Sequence, residues 1–146
     1  MEALQFLGVS KQHVRFTQGF SKLTRAFLLL ASASGFLAVM FGAFGAHALR
    51  GQLSPRLLDT FETAVEYHFF HSLALMTVAI ATKVWSGEVL LRWAGVFLSA
   101  GIVLFSGSLY ALALSGVRQL GMITPIGGLM FLVGWALLFL FALRRV

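Results

Sequence analysis

Fifteen consecutive residues, Phe61 to Leu75, hold two glutamates, a tyrosine and two histidines: Glu62, Glu66, Tyr67, His68 and His71. Carboxylates and imidazoles this close could relay protons, hold a metal ion or act as general acid and base. His47, Ser99, Ser106, Tyr110 and Thr124 add further polar groups, each set in apolar sequence. Metal binding would draw on His47, Glu66, His68 and His71, yet neither Glu-x-x-His nor His-Glu-x-x-His spacing occurs. Haem ligation needs two histidines at matched depth on facing helices, and their sequence positions argue against that. No nucleophile or oxyanion arrangement accompanies Glu66, so an enzyme is the weaker reading and no catalytic, cofactor-binding or metal residue is assigned. The chain has no cysteine, which excludes disulfides and thiolate sites.

The elements that must position these groups follow from composition. Of 146 residues, 59% are hydrophobic and 11% charged, against about 25% charged in soluble domains. Four charge-free runs, Ala26 to Leu49, Tyr67 to Thr82, Trp93 to Val117 and Gln119 to Leu143, have 24, 16, 25 and 25 residues. A bilayer core of roughly 30 Å needs about 20 apolar residues in a helix whose backbone satisfies itself. The expected fold is therefore an all-α transmembrane four-helix bundle, with spans over 26–49, 63–84, 93–115 and 122–143 and the transmembrane domain over 26–146. The short second run must recruit Thr63 to Glu66 and Lys83 to Trp85, which draws Glu66 about one turn into the membrane. Residues 1–25 read as a polar cytoplasmic tail. They are no signal peptide, because Glu2 precedes the apolar patch and the basic residues follow it.

Eight lysines and arginines (Lys11, Arg15, Lys22, Arg25, Lys83, Arg92, Arg144, Arg145) fall on the side of the termini and three (Arg50, Arg56, Arg118) on the other. The positive-inside rule then places both termini in the cytoplasm. Scattered along connections, these residues build no basic face, so nucleic acid is excluded as a partner. The lipid bilayer is the expected surrounding, with a membrane-protein partner or a second copy left open. Ser54-Pro55 reads as a cap and first turn, starting the second helix outside the bilayer. Thr124-Pro125 either starts the fourth helix or kinks it. Small residues at four-residue spacing, Ala38, Gly42 and Ala46 on the first span and Gly107, Ala111 and Ser115 on the third, are expected contact faces. No internal repeat of the kind found in transporters is visible.

On this topology nearly all the intramembrane polar groups fall in the outer half, Ser99 being deeper. Counted along the helix, Glu66 lies about 4 to 5 Å and His71 about 12 Å inside the second span, and His47 about 3 Å from the end of the first. Tyr67, His68 and His71 are expected on one face of the second helix, with Glu62 and Glu66 on another. The expected site is a polar pocket in the outer leaflet built around His47, Glu62, Glu66, Tyr67, His71, Tyr110 and Thr124. A small-solute or proton conduit is the alternative reading, and a cofactor-binding or enzymatic membrane protein the second alternative.

Four segments carry a resemblance. GAFGAHAL (Gly42 to Leu49), FETAVEYHFFHSLAL (Phe61 to Leu75), LFSGSLYALAL (Leu104 to Leu114) and ITPIGGLMFLVGW (Ile123 to Trp135) resemble, in order and spacing, the small bacterial membrane proteins of domain of unknown function family 423. The resemblance implies a four-span, multi-pass protein of the bacterial inner (plasma) membrane and supplies no activity. Its characteristic positions would be Gly45, His47, Phe61, Glu62, Tyr67, His71, Ser106, Gly107, Ser108, Tyr110, Thr124, Pro125, Gly127 and Gly128. His68 is less typical of the pattern.

Overall fold

The computed structural model describes residues 20–145; the expected tail, up to residue 19, lies outside them. Four helices are each long and apolar enough to cross a membrane, and among the described residues there is no strand. Helix α1, Lys22–Leu49, begins where the Ser21 hydroxyl accepts the Thr24 amide at 3.1 Å. That start takes in the last residues expected in the tail. Its final turn, Gly45–Leu49, is π-helical. Helix α2, Pro55–Val84, is capped by the Ser54 hydroxyl, which accepts the Leu57 amide at 3.4 Å, and Pro55 occupies its first turn. Its 30 residues reach about 45 Å, longer than a bilayer core, so the Pro55 end stands outside.

Helix α3, Val89–Ser115, contains a π-helical turn at Ile102–Ser106 and ends at Gly116, whose φ of 73° suits a residue without Cβ. A 3-10 turn, Arg118–Met122, leads to α4, Thr124–Arg145. Thr124-Pro125 thus starts the fourth helix.

Helix α1 packs chiefly along α2 and α4 chiefly along α3, while α2 and α3 meet over much of their length. Helix α2 is the most buried and least hydropathic of the four, so it forms the centre of the bundle. The core joins Phe27 and Ala31 of α1, Leu75 and Val78 of α2, Leu98 of α3 and Phe131 of α4. Large apolar side chains also cover the outside, Phe36 and Val103 being 70% exposed. That pattern is suited to lipid.

Two hydroxyl pairs tie α1 to α2: Thr24 with Thr82 at 3.0 Å and Ser34 with Ser72 at 2.7 Å. The residue numbers of each pair add to the same total, and so do those of Gly45 and Phe61, which pack together further along. The antiparallel register therefore holds from one end to the other. The α1 stripe runs through buried Ala38 and through Gly42, which lies against Val65, to buried Gly45, the 4-then-3 spacing of one helix face, and leaves Ala46 exposed. The α3 stripe is not a contact face: Gly107, Ala111 and Ser115 are exposed. The close approach to α4 is instead at Gly127, where a Cβ would sit 2.3 Å from the Phe105 backbone nitrogen.

Both ends are closed by side chains. At the end that carries residue 20 and Arg145, Glu88 pairs with Arg145, Trp85 meets Phe141 edge-on at 5.4 Å, and Lys83 lies 5.0 Å from the centre of the Phe20 ring. At the opposite, distal end Leu49, Phe61 and Ala113 form a second small core.

Candidate functional site

Within α2, His68 and His71 are both buried, but they turn to different neighbours. His68 faces α1 and α3: its Nε2 is 2.9 Å from the Ser34 hydroxyl and its Nδ1 3.2 Å from the Tyr110 hydroxyl. The proton directions follow from counting donors. Ser72 donates to the His68 carbonyl at 2.7 Å, so its single hydroxyl proton is used and Ser34 must donate to Ser72. Ser34 then accepts from His68 Nε2–H, which leaves Nδ1 of a neutral imidazole to accept from the Tyr110 O–H. One directed chain of four hydrogen bonds thus links three helices and ends at the His68 carbonyl. Tyr110 is held between rings, with Phe41 at 4.8 Å and Phe61 at 4.9 Å.

Above this chain lies a groove of about 370 Å³ between α1 and α3, whose backbones seldom come close. Leu30, Leu37, Ile102 and Val103 form much of its walls, and His68, Leu75, Ser34 and Tyr110 reach it from below and beside. Ser99 also borders it, its hydroxyl donating to the Gly95 carbonyl at 2.8 Å.

His71 faces α4. Its Nδ1–H donates to the Tyr67 carbonyl at 2.7 Å, and Nε2 accepts from the Trp135 indole N–H at 3.3 Å. Phe131 stacks on the imidazole with centroids 3.5 Å apart and planes 15° from parallel, while Tyr67 stacks on Phe105 at 4.4 Å. Few backbone contacts join α2 to α4, and these rings bridge the gap. A concavity of about 580 Å³ beside them is lined by Tyr67, Phe105, Pro125 and Trp135.

Comparison with known proteins places this arrangement. The profile of the family described as protein of unknown function DUF423 matches residues 41–128, and a UPF0382 membrane protein of Staphylococcus epidermidis is 44% identical over 120 residues, 82% of this chain and 97% of that relative. The chain belongs to this family. The UPF0382 inner membrane protein YgdD of Escherichia coli K12 is 43% identical over 125 residues, 83% of the chain and 92% of YgdD. No solved structure matches. With four spanning helices, this DUF423 member is an integral, multi-pass protein of the inner membrane.

The DUF423 match takes in His68, His71, Ser106 and Tyr110, whereas Ser34 and Trp135 lie outside it. The seven residues expected to share one pocket occupy five separate settings. His47 is exposed on the π turn and makes no hydrogen bond or ion pair among the described residues. Glu62 and Glu66, both exposed, border a notch between α1 and α2 with Gly42, Gly45 and Val65. Tyr67 and His71 stand on the α4 side, and Tyr110 stands with His68 on the α1 and α3 side. Thr124 donates to Ser108 at 2.8 Å, since Ser108 gives its own proton to the Phe105 carbonyl. Among the described residues no three His, Asp or Glu side chains cluster as metal ligands. Ser34, Ser72 and Trp135 were absent from the sequence expectations. Ser72 had one available signal, standing four residues after His68 and hence one turn along the same face.

Proposed function

We propose that this protein binds a membrane-borne apolar molecule that enters sideways between α1 and α3, and that His68, Tyr110 and Ser34, backed by Ser72, form the polar side of that site. This narrows the seven-residue outer pocket to the part built around Tyr110. The observation that carries the reading is a lateral groove whose mouth lies between two helices with few close backbone approaches and whose base holds a fully partnered hydrogen-bond chain. The volume, about 370 Å³, falls in the range of small-molecule sites, roughly 300 to 1,000 Å³. A conduit fits less well. The chain returns to the His68 carbonyl, and nearer the end that carries Arg145, Leu75, Val78 and Leu98 are almost completely buried. A proton or solute path would need a second conformation.

The test is a titration of delipidated protein with a panel of oleoyl lipids, read as the thermal unfolding midpoint. Binding to the folded state raises that midpoint saturably. Ala33→Phe, which inserts a ring into the groove from α1, should abolish the rise. A rise that survives Ala33→Phe rejects the lateral groove. Orientation is proposed from the Lys and Arg count, with both termini cytoplasmic and the groove nearer the outer face: a reporter fused after Arg145 should be active only as a cytoplasmic fusion, and periplasmic activity would reverse the assignment.

A further inference from the structure

The groove is bordered by one polar group that has no hydrogen-bond partner. Ser106 is 1% exposed, borders the groove, and its hydroxyl has no hydrogen-bond partner. Three other buried or half-buried helical hydroxyls give their proton to a carbonyl about one turn back, Ser72 to His68, Ser99 to Gly95 and Thr82 to Ala79, and Ser34 gives its proton to Ser72. Ser106 ends the π turn, where the Gly107 amide reaches back five residues to the Ile102 carbonyl. An unpartnered buried hydroxyl is costly, and π turns occur often at functional sites. Tyr110 stands four residues further along α3 and lines the same groove. Its proton goes to His68, so its oxygen keeps free lone pairs.

The groove is therefore bordered by one unpartnered hydroxyl, Ser106, whose buried oxygen is reached only when the side chains over it part, and by acceptor oxygens on Tyr110, about one helical turn away, and on Ser99. No residue lining it carries a formal charge, and apart from Ser34, His68, Ser99, Ser106 and Tyr110 its walls are apolar. A charged head group would be desolvated there without a partner.

Resting on the groove reading above, the geometry points to an uncharged glycerolipid as the occupant: an ester carbonyl accepts from Ser106, the free glycerol hydroxyl donates to Tyr110 Oη, and an acyl chain lies along Leu37, Ile102 and Val103. The rest of the lipid stays in the bilayer, because the groove opens between helices.

Dioleoylglycerol titrated into delipidated protein in detergent, followed by native mass spectrometry, tests this. The wild type should form a saturable one-to-one adduct. Ser106→Ala should weaken it about fivefold, the loss of one neutral hydrogen bond, and Ser106→Thr, which restores the hydroxyl, should recover binding to within about twofold. Methyl oleate, with an acceptor and no donor, should compete less well, and phosphatidylglycerol should fail to compete. No adduct with the wild type, equal affinity of wild type and Ser106→Ala, or equal competition by phosphatidylglycerol overturns the glycerolipid assignment. If Ala33→Phe removes the adduct while Ser106→Ala leaves it unchanged, the groove stands and only the head-group chemistry falls. If Ala33→Phe leaves binding intact, both fall.

Discussion

His68 and His71 are three residues apart on one helix, both buried, yet they are built into opposite kinds of surroundings. The His68 side is held by hydroxyls: two serines and a tyrosine from three helices, arranged so that each proton has one place to go. The His71 side is held by rings, with Phe131, Tyr67, Phe105 and Trp135 filling the space between α2 and α4. Directed hydrogen bonds hold helices at fixed spacing without filling the space between them, whereas stacked aromatics hold helices by filling it. Both nitrogens of each imidazole are engaged by the protein. The difference lies in what borders the open space beside them: the groove beside His68 has an unpartnered hydroxyl at its edge, whereas the concavity of about 580 Å³ beside His71 is walled mainly by rings and aliphatic side chains.

The most severe way to break the contrast is to remove the support of the aromatic side. A Cβ on Gly127 would stand 2.3 Å from the nitrogen and 2.7 Å from the Cα of Phe105, and backbone atoms cannot move aside as a flexible side chain can. Gly127→Val should destabilise the bundle by about 3 kcal/mol, at the upper end of overpacking costs. Denaturant titration in mixed micelles checks this, and a stability equal to wild type would mean that α4 does not approach α3 this closely.

Exchanging each histidine for phenylalanine probes the two sides directly. His68→Phe strands the Tyr110 and Ser34 hydroxyls in an apolar interior and should cost about 2 kcal/mol. His71→Phe keeps the stack on Phe131 and loses only the hydrogen bond to a half-exposed Trp135 and a local backbone bond, so its cost should stay under about 1 kcal/mol. Equal losses in the same denaturation assay would erase the distinction between hydroxyl-held and ring-held sides.

The four spans, the Ser54-Pro55 helix start and the interruption of apolar sequence around Glu66 were legible in the chain because bilayer thickness and helix capping act locally. What a regular helix could not show was the direction each side chain takes. A π turn adds a residue to one turn and rotates everything beyond it. In the structure the turn at Gly45–Leu49 begins with buried Gly45 and leaves Ala46 exposed, and the turn at Ile102–Ser106 ends on the unpartnered Ser106 hydroxyl. The split between His68 and His71, 60° apart on an ideal helix, is decided by what α1, α3 and α4 present, as is the separation of His47, Tyr67, Tyr110 and Thr124 into different settings. Ser34 and Ser72 carried no strong signal because serine is common in spans; only their antiparallel register, visible once α1 and α2 are paired, makes them partners.

The smallest effect is also the one that tests whether the His68 side is a chain and not a set of independent bonds. Ser34 and Tyr110 are bonded to opposite nitrogens of the same imidazole. If Nε2–H donates to Ser34 because Nδ1 is occupied by the Tyr110 proton, then Ser34→Ala and Tyr110→Phe should be non-additive, with a coupling of about 0.6 kcal/mol, the average for interhelical hydrogen bonds in membranes. Ser34→Ala with Trp135→Phe should be additive, because the indole bonds to the other histidine. A coupling at the first pair and none at the second would show that the imidazole transmits a proton arrangement from α3 to α1. Additivity at both pairs would reduce the His68 side to separate contacts, and the groove would then owe its shape to the packing of Phe41, Phe61 and Tyr110 alone.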